Sequence, residues 1–147
     1  MLNNDLSVIF ERDLLKLKEE ITAYNDESSL WVMKQGISNS AGNLCLHLIG
    51  NLNHFIGATL GHTGYVRERD KEFSMKNIPR AEMLASIDAV ALTVTTTLNN
   101  LTGVDLEKDF PLEKHGQIVK TGPMLLHLLS HLSYHLGQIN YHRRLLT

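Results

Sequence analysis

The sequence predicts an all-α fold, a four-helix bundle with two longer connectors, on three observations. Apolar residues recur every three or four positions in four separate stretches. No segment reads convincingly as sheet. Cap residues, Gly and Pro stand near the ends of the apolar stretches. The 147 residues form one domain, 1–147, since a domain usually takes about 100–200 residues. A chain of this length buries enough surface to fold without a disulfide or a structural metal.

The first helix carries Leu2, Leu6, Ile9, Phe10, Leu14, Leu17, Ile21 and Tyr24 on one stripe and ends at Asn25-Asp26-Glu27-Ser28-Ser29. A connector with Trp31 and Gly36 follows. Ser38-Asn39-Ser40 offers N-cap side chains to a second helix, which carries Leu44, Leu48, Leu52, Phe55 and Ile56 and stops near Gly57 to Gly61. Gly61 to Asn77 is polar, includes the charge run Arg67-Glu68-Arg69-Asp70-Lys71-Glu72, and reads as a loop. Pro79 suits the first turn of a third helix, where its missing N–H costs nothing. Met83, Ile87, Val90, Val94, Leu98 and Leu101 give that helix its apolar face. Thr102 to Lys120 is the second connector, with Gly116 to Lys120 as a short hairpin arm. Thr121-Gly122-Pro123 opens the last helix, which runs to about Leu146.

Composition narrows the function. Sixteen acids against fourteen bases give a net charge of −2, so nothing draws a phosphate backbone and nucleic-acid binding is not expected. A single Cys excludes an internal disulfide and fits a reducing, cytoplasmic location. The N-terminus carries acids where a secretion signal is apolar. The apolar run from Leu44 to Leu60 includes two His and two Asn and is too short and polar to span a bilayer, so no membrane partner is expected.

Eight His stand beside one Trp and three Pro. His131 and His135 are one helical turn apart, about 40° around the axis, close enough to share one ion. On the second helix His47 and His54 lie within about 20° of each other, at the edge of the apolar stripe, with Asn51 between them. His127, His131, His135, Gln138 and His142 form a matching seam on the last helix. A lone His at a helix edge is usually structural. Several unpaired imidazoles on core-facing seams would each carry a desolvation cost of about 1–3 kcal/mol, which a shared cation removes.

Three strings carry a family resemblance: Asn43-Leu44-Cys45-Leu46-His47-Leu48-Ile49-Gly50-Asn51-Leu52, Arg67-Glu68-Arg69-Asp70-Lys71-Glu72-Phe73, and His131-Leu132-Ser133-Tyr134-His135-Leu136-Gly137-Gln138-Ile139. They resemble the first-ligand segment, the R-x-R-D-x-E-F loop and the HxxYHxGQI ending of the DinB-like (DinB/YfiT-type) family. The resemblance implies a metal-dependent four-helix bundle, often a homodimer, with a divalent ion held by His47, His131 and His135. It also implies relatives that are thiol S-transferases acting with low-molecular-weight thiols. Asn53-His54-Phe55 stands where that family's subgroup shows Arg-Gln-aromatic, which adds His54 as a candidate fourth ligand or base.

Three His ligands leave an open coordination position, the arrangement of a catalytic site. Either an acidified water or a thiolate would be the nucleophile there. The resemblance favours thiol S-transfer, or a related metal-assisted reaction, on a small molecule. Leu132 follows His131 where a metalloprotease helix has Glu, which counts against peptide hydrolysis, and no general base is identifiable. His54, Arg67, Arg69 and Tyr134 are the candidate substrate-binding residues. Arg67 and Arg69 would take an anionic group, and His54 or Tyr134 would carry a proton. Cys45 lies about 160° around the helix from His47 and reads as a small buried hydrophobe. The sequence leaves zinc, nickel, iron and manganese open. It also leaves open a non-catalytic metal-binding or dimerising bundle.

Overall fold

The computed structural model describes residues 1–146, and within them the chain is all-helical. Helix α1 spans Leu2–Ala23 and α2 spans Ala41–Leu52, continuing as a π-helical turn over Asn53–Ala58. A short α3 spans Arg69–Ser74, α4 spans Arg80–Asn99, α5 spans Gly103–Glu107 and α6 spans Thr121–Leu146. A 3-10 turn occupies Glu27–Trp31. The four longest elements pack on one another: α1 lies against α4 and α6, and α2 against α4 and α6.

The apolar stripes meet where their spacing requires. Leu6, Phe10, Leu14, Leu17 and Ile21 of α1 are buried, as are Met83, Ile87, Val90, Val94 and Leu98 of α4. Each such fully buried side chain contributes about 1.5–3 kcal/mol. Helix α4 is long and apolar enough by length and composition to cross a bilayer, but its apolar face is packed into this core. Trp31 lies flat on α2, where a Cβ at Gly42 would stand 2.7 Å from its ring, and so works as a packing residue.

Both connectors hold short helices that the sequence reads as loop. Helix α3 has six residues, too few to display a 3.6-residue period. It is held from outside: the Asn43 side-chain amide donates to the carbonyls of Glu72 and Met75, at 2.9 Å each. Helix α5 starts at a capping box in which Thr102 and Asp105 satisfy each other's backbone N–H. The hairpin arm is present as two isolated antiparallel bridges, Asp109 with Lys120 and Lys114 with Gln117. His115 and Gly116 turn it with φ of 51° and 75°, the pair of positive angles that a two-residue type I′ turn needs.

Ser40 caps α2. Its hydroxyl accepts from the Asn43 N–H at 3.2 Å and donates to the Asn43 side-chain oxygen at 2.8 Å, fully buried. Ser40→Ala is therefore expected to cost about 1 kcal/mol, read as a lower urea midpoint with an unchanged m-value.

Candidate metal centre

Helix α6 presents His131 and His135 from consecutive turns, and the packing of α2 on α6 brings His47 to meet them. The Nε2 of His131 lies 3.1 Å from the Nε2 of His47 and 3.1 Å from the Nε2 of His135. Ligand nitrogens of all three lie within 4.8 Å of one another. Nitrogens bound to one ion at about 2.0–2.1 Å stand about 2.9 Å apart at a right angle and about 3.4 Å apart at the tetrahedral angle. The two 3.1 Å edges fall between these limits.

The protons on these rings make the convergence informative. His47 Nδ1 is 3.0 Å from Glu72 Oε1. An ionised carboxylate only accepts, so Nδ1 carries the proton and the neutral ring turns a bare lone pair inward at Nε2. His135 Nδ1 is 2.7 Å from Gln138 Oε1 and donates in the same way. His131 Nε2 thus faces two lone pairs with at most one proton, and His131 Nδ1 is buried without any hydrogen-bond partner. Protein groups alone leave at least one of these contacts unsatisfied. One divalent ion satisfies all three nitrogens, so the residues fit a metal.

Glu72 sits under His47, and sequence reasoning gave it no role. Its side chain is 7% exposed. Arg67 grips it from the far side, Nε to Oε2 and Nη2 to Oε1, both 2.9 Å. Gly50, three residues after His47, makes the room, because a Cβ there would overlap Glu72 Oε2. Phe73 packs on the His47 ring, with centroids 4.9 Å apart. The result is a carboxylate–histidine pair behind the candidate ligand, an arrangement that fixes tautomer and ring direction at metal sites.

The other candidate residues fall in different places. His54 is seven residues beyond His47, about 10.5 Å along the axis. It lies in the π-helical turn against Phe55, outside the three-imidazole group. Arg67 is not a solvated loop residue: it lines the cleft, and Glu72 takes its Nε and Nη2. Arg69 lies on the site's cleft, its guanidinium 5.2 Å from the centre of the Phe73 ring. Tyr134 is 66% exposed and touches the site only through the outer edge of His135, with centroids 5.4 Å apart. His127 stands exposed at the cleft. His142 is structural, 2.6 Å from the Tyr24 hydroxyl and 2.8 Å from the Val32 carbonyl. Cys45 is fully buried, and burial pushes its thiol up to about 12, which agrees with a small core hydrophobe.

A cleft of about 280 Å³ opens beside His47 and His131. Burial, with His135 and His47 adding repulsion, pushes the His131 imidazole down to about 4. Burial also lowers His47, outweighing the opposite pull of Glu72. An imidazole in the unfolded chain takes its proton near about 6.5. Between that pH and about 4 the unfolded chain binds more protons than the folded one, so stability falls as pH falls through that window. Urea midpoints of metal-free protein are expected to drop from pH 6.5 to 4.5, and to drop less in His131→Ala.

No curated protein matches the sequence. One family match runs over residues 9–147, nearly the whole chain, and it takes in the three imidazoles, Glu72 and the cleft. The chain therefore belongs to the family described as "Protein of unknown function (DUF1572)".

Proposed function

We propose that this protein is a metal-dependent enzyme of the DinB-like type, a four-helix bundle that carries out thiol S-transfer, or a related metal-assisted reaction, on a small molecule. The observation that carries the reading is the convergence of three Nε2 atoms whose rings are oriented from behind by Glu72 and Gln138. The placing of the DUF1572 family in the DinB-like clan supports it, as does the cleft beside the imidazoles.

His47, His131 and His135 would hold a divalent ion of zinc, nickel, iron or manganese. Such an ion supplies Lewis acidity at an open position, which favours the thiolate form of a substrate thiol. The chain's own residues do the rest. Glu72 keeps the proton of His47 on Nδ1, and Gln138 does the same for His135. Arg67 holds Glu72 in line through two parallel bonds. That commitment makes Glu72 a positioning residue and leaves it no lone pair aimed at the cleft for base catalysis.

A cytoplasmic, homodimeric protein is part of this proposal. The single buried Cys supports a reducing location. The outer face of α6 supports pairing, with Tyr134 and Tyr141 66% exposed and Leu145 81%. That same face favours the second reading, a dimerising bundle whose metal is structural. Elemental analysis of mildly purified protein, followed by a thiol-consumption assay with and without chelator, separates the two. Stoichiometric, exchangeable metal with chelator-sensitive consumption is expected. Equal consumption in both arms removes the catalytic reading, and unfolding on chelation establishes the structural one.

A further inference from the structure

We infer that the cleft beside the imidazoles contains a carboxylate subsite, formed by Arg69 and Lys114 at its rim. Asn51 at its buried end accepts an N–H or O–H of the same small molecule. The inference rests on the proposed function in one respect: the reacting end of that molecule lies at the three imidazoles.

Charge on the cleft is the first support. Arg67, Arg69 and Lys114 all line it. Arg67 is neutralised by Glu72, whereas Arg69 and Lys114 form no ion pair among the described residues. Glu113 is the one acid among the cleft's described residues, and His115 and His127 add further nitrogen donors. Two cations without a carboxylate partner against one acid, at a concave surface, favour an anion.

An unpartnered buried atom is the second support. Asn51 is one turn beyond His47 on the same face of α2 and is 7% exposed. Its Oδ1 is sealed from solvent with no hydrogen-bond partner, and the residue lines the cleft. Buried acceptors are nearly always paired, and a turn of this amide toward the cleft it lines would let it take a donor from the ligand. Phe55 adds an apolar ring to the lining. The backbone at Lys114 is held by its bridge to Gln117 and the tight turn at His115-Gly116. A volume of about 280 Å³ sits just below the range for small-molecule pockets, about 300–1,000 Å³, which suits a small metabolite.

N-acetylcysteine carries a carboxylate, an amide N–H and a thiol, and N-acetylcysteine amide lacks only the carboxylate charge. Their affinities are to be measured by calorimetry on the full chain, with excess EDTA and again with one equivalent of zinc. In the EDTA arm neither thiol nor carboxylate meets a metal, so the ratio there isolates the carboxylate subsite. At least tenfold tighter binding of the acid is expected in both conditions. In Arg69→Gln/Lys114→Gln that ratio should fall to near one while amide binding is unchanged. Asn51→Leu should weaken both probes. Equal binding of acid and amide by the wild type, no detectable binding of either, or an undiminished ratio in the double variant would overturn the subsite. Zinc stoichiometry, read in the same titrations, reports on the metal reading separately. The acid preference in EDTA with no zinc uptake keeps the subsite and removes the metal. One zinc bound with no acid preference does the reverse.

Discussion

Glu72→Ala is expected to lower folding stability by about 3–5 kcal/mol, because it breaks a buried ion pair from one side. Arg67 is only 11% exposed at its side chain and would keep its charge with no carboxylate to meet it. His47 Nδ1 would lose its acceptor as well. Replacing both members, as in Arg67→Met/Glu72→Met, removes the charge and most of the desolvation with it. That double variant is expected to be more stable than Glu72→Ala, although it lacks more native hydrogen bonds. Chemical denaturation of the two variants checks the order. Metal affinity follows a different rule. Both variants free His47 to rotate or change tautomer, so both should bind metal about 10–100-fold more weakly. Gly50→Ala makes the same point without touching a polar group. Its Cβ overlaps Glu72 Oε2, so the carboxylate must leave, and metal affinity should fall in step with Glu72→Ala. Helix propensity alone would make Gly50→Ala stabilising by about 1 kcal/mol. A variant that folds more tightly and binds metal normally would show that Glu72 has another place to go.

The sequence resolves what repeats and misses what approaches from the side. The four long helices are legible because each carries a stripe sustained over three turns or more. Helices α3 and α5 escape notice because five or six residues cannot display a period. A capping-box pattern at Thr102 and Asp105 was nonetheless available for α5. Spacing finds the His131–His135 pair, since both rings sit on one helix. His47 belongs to another element, and only packing of α2 on α6, or a family resemblance, connects it. His54 satisfies the angular rule and fails on distance along the axis. Glu72 is the instructive loss. It sits twenty-five residues from its partner in an Arg-rich segment that reads as solvated charge. Two signals pointed to it: a Gly on the same helix as His47, three residues on, and an Arg five residues before the acid. Neither signal says which acid the Gly admits, and the Asn43 clamp that selects Glu72 exists only in three dimensions.

His131→Ala is expected to cost little or nothing in the metal-free protein and much in the metal-loaded one. Without metal, His131 is a liability. Its Nδ1 is buried with no partner, and its Nε2 points at two lone pairs with one proton to offer. Removing the ring also frees His47 and His135 from that crowding. The cost of the resulting cavity, for a residue that is not fully buried, opposes this gain. Metal-free His131→Ala should therefore lie within about 1 kcal/mol of the wild type, or above it, where loss of a satisfied core residue would cost about 2–5 kcal/mol. With metal the cost is large. An ion present at 1,000 times its dissociation constant stabilises the wild type by about 4.1 kcal/mol. The variant keeps two ligands at most, so its bound metal should fall from about one equivalent to a small fraction, and the shift in unfolding midpoint on adding metal should vanish. The pairing of these outcomes is what a metal centre demands. A His131 kept for packing would destabilise the apo protein when removed and leave the metal response of the wild type at zero.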